Sequence, residues 1–159
     1  MFNSMVATST AQYGSDQTLQ LRMSANMLFS KMMNRGKWMM FGQRLLGKQN
    51  NLEALASTEN GTKPVQKQGR KIVTVAIEKI VGSEGRVRDF DKAFRPLVNH
   101  TRDRWVSIAI AHHQGVDLPP VELIRVGDEY YVRDGHHRIS VAKTFGQATI
   151  EAIVLYELA

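Results

Sequence analysis

In the second half of the chain, the spacing of apolar residues switches several times between two periods. "KIVTVAIEKI" alternates apolar and polar positions and is rich in β-branched residues, which predicts a strand over Ile72–Ile77. "DFDKAFRPL" predicts a short helix that stops near Pro96. Trp105, Ile108, Ala109 and His112 then recur at i, i+3, i+4 and i+7, one face of a helix. Thr101 can cap that helix and Gly115 ends it. "LPP" sets up an extended segment. "VELIRV" (121–126) and "EYYVRD" read as strands joined by Gly127-Asp128, a two-residue loop with glycine first that suits a type II′ hairpin. Gly135 breaks the second strand. Ile139, Val141, Ala142 and Phe145 line a short helix ending at Gly146, and "TIEAIVLYEL" is a closing strand. Strand, helices, hairpin, helix, strand is the order of a small mixed α/β (α+β) domain.

The first half reads differently. Residues 1–17 are rich in Ser, Thr and Gln and predict a disordered arm. Helix formers dominate from Thr18 to about Leu55, with Leu21, Leu28 and Met32 near one face and Trp38, Phe41 and Leu45 near another. Gly36, Gly42 and Gly47 interrupt them, each costing about 1 kcal/mol relative to Ala, so one broken helix or two short ones are expected. "KWMMFGQRLLGK" sets aromatic and Met residues among Lys37, Arg44 and Lys48. It fits a membrane-surface or partner-binding helix. The commoner role of such a face is packing on the domain or on a second subunit. Ser57–Lys71 lacks apolar periodicity and reads as a linker. The expected organisation is an arm over 1–17, a helical, Met-rich, basic extension over 18–56, a linker over 57–71 and the mixed domain over 72–159.

Charge sharpens this division. Residues 1–70 hold 9 Lys/Arg and 3 Asp/Glu, whereas residues 71–159 hold 12 of each, so the whole net charge of +6 belongs to the N-terminal part. All 8 Met residues lie at or before Met40. No cysteine is present, which excludes disulfides, zinc–thiolate sites and thiol catalysis. The first residues lack the apolar run of a secretory signal, and no stretch reaches the roughly 20 apolar residues needed to span a bilayer. The scarcity of acids up to residue 44 is transit-peptide-like, but Met- and Gln-rich arms share it; a cytoplasmic protein is the default expectation.

Candidate chemistry concentrates where the second hairpin strand meets the last helix, at Asp134, Gly135, His136, His137 and Arg138. A helix that begins directly after a strand and a glycine presents free backbone N–H groups, and those groups with the helix dipole favour an anion. Gly135 admits a ligand close to the backbone. Arg138 can grip phosphate oxygens, and the two histidines can add donors. The same residues also suit a plain helix start, with Asp134 as N-cap, surface histidines and an Asp134–Arg138 pair. A metal held by His136-His137 or His112-His113 is disfavoured, because adjacent helical residues point about 100° apart.

The stretch "LPPVELIRVGDEYYVRDGHHRISVAKTFGQATIEAIV" resembles the ParB/sulfiredoxin superfamily, which includes ParB N-terminal domains, sulfiredoxins and ParB-like free-serine kinases. The shared pattern is strand, Gly hairpin, strand, a Gly-x-x-Arg turn, short helix and closing strand. "GRVRDF" and "WVSIAIAHHQG" extend it loosely back toward Ile72. The resemblance implies that Gly135, His136, His137 and Arg138 hold the phosphates of a nucleotide (CTP, ATP or ADP). It also implies that Asp134 binds Mg²⁺ or acts as a base. Sulfiredoxins place their catalytic cysteine in this turn; histidine stands there here, so sulfinic-acid reduction by that route is excluded. No helix-turn-helix follows the last strand, so a full partition protein is not expected.

Three functions follow: a nucleotide-binding module acting as a switch or DNA-associated unit; a small-molecule kinase or phosphotransferase of the free-serine-kinase type; and a ParB-like nuclease or DNA-binding protein using the basic N-terminal part. A homodimer would cover the Met/Trp/Phe face.

Overall fold

The computed structural model describes residues 3–48, 50–55, 64–67 and 71–158. Its centre is a mixed sheet of strands β1 (Glu53–Ala54), β2 (Pro64–Lys67), β3 (Ile72–Ala76), β4 (Ile80–Ser83), β5 (Val121–Val126), β6 (Glu129–Asp134) and β7 (Thr149–Leu158). Helices α1 (Asn3–Leu45), α2 (Arg102–His113) and α3 (His136–Thr144) accompany it. The strand order is β1-β4-β6-β5-β7, with β2 and β3 both pairing antiparallel to β7: β3 along its first half and β2 along its end. β4 and β6 run parallel, as do β5 and β7, while β5 and β6 form the expected hairpin. At its tip Gly127 alone has positive φ (57°), which fits the glycine-first turn.

Val121, Leu123, Val132, Ile139, Phe90, Phe94 and Ala152 fill the main core under α3. Trp105 belongs to a second cluster with Ala25, Phe29, Val106, Ala109 and Val141. Its ring packs edge to face on Phe29 of α1 at 5.7 Å, and its Nε1 donates to Ser140 Oγ of α3 at 2.9 Å. The chain thus stacks α1 on α2 and α2 on α3. Ile124, Tyr131, Leu55 and Leu158 form a smaller cluster.

Several expectations change. α1 is one continuous helix, and it begins at Asn3, inside the stretch read as an arm. Gly36 fits because a Cβ there would lie 3.1 Å from Leu97, so the helix approaches the domain closely at that point. Gly47 terminates the helix instead of interrupting it. With φ of 67°, it lets Lys48 N–H reach Gln43 O at 2.9 Å and its own N–H reach Arg44 O at 3.1 Å. Gly115 and Gly146 close α2 and α3 in the same way. The helix expected at "DFDKAFRPL" is absent. The buried Asp91 carboxylate takes the N–H groups of Ala93 (3.0 Å) and Arg95 (2.8 Å) and the Arg95 Nε–H (2.8 Å), which folds the segment into a tight loop. Phe94 adopts φ of 57° within it, and both Phe90 and Phe94 are driven into the core. Thr101 does not cap α2 with its side chain; its hydroxyl donates back to Val98 O at 2.8 Å.

The sheet also crosses the boundary drawn near residue 70. β1 pairs with β4, and Leu52 and Leu55 on either side of it are buried. β2 lies inside the stretch read as a linker; the rest of that stretch, 57–63 and 68–70, lies outside the described residues.

Candidate functional site

β4 and β6 are parallel neighbours, with Ser83 opposite Val132, and both end on the same side of the sheet. The carboxyl ends of parallel strands are where an α/β sheet opens a crevice. Two segments leave from there: the loop from Ser83 to Asp89, and the turn from Asp134 into α3.

Gly135 makes the second departure possible. Its φ is 103°, and a Cβ at that position would lie 2.5 Å from Val121 Cγ1. Glycine alone satisfies both the conformation and the contact. β6 therefore passes into α3 with no intervening loop. The first α-helical bond there is Ile139 N–H to Gly135 O at 3.0 Å. The N–H groups of His136, His137 and Arg138 accordingly lack an acceptor within the helix. Gly135 occupies the N-cap position, and no side chain caps the helix. Asp134 is therefore not the cap considered above.

His136 and His137 are buried, not surface residues, with 3% and 7% exposure. His136 Nε2 lies 2.6 Å from Ser83 Oγ. That oxygen already accepts the N–H groups of Gly85 (3.1 Å) and Arg86 (2.9 Å). Its one proton therefore goes to His136 Nε2, and the ring carries its own proton on Nδ1. Ser83 is fully buried, so this Ser–His pair fastens two segments together and offers no nucleophile to a substrate. Phe90 stacks on the His136 ring at 6.1 Å and meets His137 edge-on at 5.4 Å. Burial, followed by the positive field of Arg86, lowers the pKa of each histidine from 6.5 to about 4; Arg104 adds to this at His137. Both rings are therefore neutral at pH 7, and His137 Nε2 is buried without a hydrogen-bond partner.

Arg138 does not face open solvent. Its Nη1 donates to the Pro119 and Pro120 carbonyls, the latter at 2.8 Å, and its Nη2 donates to Asp134. The side chain is 11% exposed, whereas Asp134 is 59% exposed. Arg138 also borders a cleft of about 360 Å³, lined further by Thr74, His112, Asp117, Gln147 and Glu151. The guanidinium thus holds the "LPP" segment against the start of α3. His112 stacks on Phe145 at 4.7 Å and so has a packing role.

Arg86, paired with Asp89 at 3.2 Å, and Arg104 supply positive charge felt at the histidine pair. Neither was singled out in the sequence, nor was Ser83. A local signal for Ser83 was "SEGR", a serine with glycine two and arginine three residues on, the spacing at which a hydroxyl collects N–H groups in a turn. Among the described residues there is no group of three or more His, Asp or Glu able to hold a metal ion. Mg²⁺ commonly takes one or two carboxylates and completes its shell with phosphate oxygens and water. Asp134 could be that carboxylate only with such a ligand present.

No family model matches the chain, and no curated protein matches it. Among solved structures it is similar to sulfiredoxin from Arabidopsis thaliana. The identity is 23%, the TM-score is 0.41, and the match covers 53% of this chain and 83% of that one. No helix among the described residues is long and apolar enough to cross a membrane.

Proposed function

We propose that the protein is a nucleotide-binding module that takes phosphate groups at the start of α3. The observation that carries this is the Ser83–His136 bond. It ties the Arg86 loop to the first turn of α3 at the shared carboxyl end of β4 and β6. Three backbone N–H groups without helical acceptors then stand beside arginine charge, an arrangement suited to a polyanion. Arg138 acts by positioning, since its donors already hold Pro119, Pro120 and Asp134. Mg²⁺ bound with the nucleotide would supply charge neutralisation, and the exposure of the Asp134 carboxylate supports a role for it in holding that ion.

Calorimetric titration with CTP, ATP and ADP, with and without Mg²⁺, tests the reading. Saturable binding of at least one of them supports it, and a folded chain that binds none removes it. A phosphotransferase is the second reading, favoured by the exposure of Asp134 beside the turn. Consumption of ATP or ADP on adding serine or other hydroxyl compounds distinguishes it from a switch.

A further inference from the structure

α1 carries apolar side chains on two faces, and the domain covers only one. Ala25 and Phe29 face α2 and are buried. Leu19, Met23, Met27, Trp38, Phe41 and Leu45 are 58% to 73% exposed. At about 100° per residue they share a sector roughly 100° wide, centred about 130° around the helix from Phe29. Trp38 and Phe41 meet edge to face at 6.3 Å and form an aromatic knob on this outer stripe.

The charges beside the stripe have one sign. Between Asp16 and Glu53 the chain has Arg22, Lys31, Arg35, Lys37, Arg44 and Lys48, and no acid. Lys37 falls at one border of the apolar sector and Lys31 at the other. Such a face is complementary to a surface that is apolar beneath and anionic above.

We infer that α1 docks through this outer stripe onto an anionic lipid bilayer surface. The helix lies in the headgroup layer, with the folded domain on the water side. Trp38 and Phe41 suit the interface, and the Lys and Arg stems can run along its apolar edge while their heads reach lipid phosphates. A second copy is disfavoured, because pairing two such stripes brings like charges together with no acid to answer them. A nucleic acid would match the cations but leave the Met and aromatic side chains against phosphates. The balanced charge of residues 71–159 leaves the attraction to the N-terminal part.

The full chain is mixed with vesicles of equal parts phosphatidylglycerol and phosphatidylcholine, and separately with phosphatidylcholine alone. Binding is read by co-sedimentation and by tryptophan emission, in which Trp38 is the exposed ring and Trp105 the buried one. Co-sedimentation with the anionic vesicles and a blue shift are expected, with affinity at least about tenfold lower on phosphatidylcholine and reduced by added salt. Phe41→Ser/Leu45→Ser changes two exposed positions and is expected to weaken binding at least about tenfold with an unchanged melting temperature. Lys31→Glu/Lys37→Glu is expected to weaken it through charge alone. The inference is overturned by absence of binding to anionic vesicles, by equal binding to both vesicles, or by wild-type binding of the Phe41→Ser/Leu45→Ser chain. It is equally overturned if that variant instead abolishes self-association or a DNA gel shift in a chain that ignores vesicles.

Discussion

At the residue scale, the decisive surprise is Arg138. Its place in a Gly-x-x-Arg turn marks it as a phosphate-gripping side chain, yet its guanidinium is committed to Pro119, Pro120 and Asp134. Two of those partners lie 18 and 19 residues upstream, which no local pattern reveals. Arg138→Ala leaves backbone carbonyls without charge-assisted donors and is expected to cost about 2 kcal/mol, seen as a melting temperature lower by several degrees. Asp134→Asn, at an exposed carboxylate, is expected to leave the melting temperature nearly unchanged. The histidines were legible as chemistry-bearing residues but not as buried ones, because their cover comes from Phe90 in a loop that does not follow helical spacing. Folding holds both neutral: their pKa values drop to about 4 from an unfolded value of 6.5. The unfolded chain therefore takes up protons below about pH 6.5 while the folded chain does not. Stability is fully present above pH 6.5 and declines as pH falls toward 4. Urea midpoints measured across that window should fall with pH, and less steeply in His136→Gln/His137→Gln; a flat wild-type profile would contradict the burial of these rings.

At the element scale, the hairpin, α2, α3 and β7 were readable because each satisfies its own local rule. Alternation marks the strands, and a positive-φ glycine closes each helix. The loop at Asp89–Leu97 was misread because its order comes from one buried carboxylate that competes with helical hydrogen bonding. β1 and β2 were missed because strands of two and four residues carry no period, and tertiary pairing alone makes them. α1 was read as broken because glycine cost was counted without the close approach to Leu97 that Gly36 permits. Its attachment rests on Phe29, fully buried between Trp105 and the Arg102 guanidinium, which sits 4.7 Å over the ring. Phe29→Ala is expected to cost about 3–5 kcal/mol and to raise the hydrogen exchange of α1. A loss below about 1 kcal/mol would mean that α1 contributes little to the fold.

At the scale of the whole molecule, the division of charge visible in the sequence corresponds to a division of surfaces. The neutral second half supplies five of the seven strands and the junction at the carboxyl ends of β4 and β6. The basic first half lays one face of α1 on that body and turns the other outward. The residues of the proposed site, Asp134–Arg138, stand out in the sequence as a cluster. The part of Ser83 and Arg86 does not, because they reach that cluster through sheet pairing across about fifty residues of chain, as the separation of 53 between Ser83 and His136 records. Arg86 is therefore the residue on which to test the site. Its side chain is 52% exposed, so removing it should spare the fold while depleting the charge beside α3. The most direct measurement is a calorimetric titration of the folded chain with Mg²⁺–nucleotide, wild type against Arg86→Ala. The expected result is saturable binding that weakens about tenfold in the variant, equivalent to about 1.4 kcal/mol, at an unchanged melting temperature. Absence of binding to CTP, ATP and ADP, or binding that ignores the loss of Arg86, would contradict a phosphate site at the start of α3.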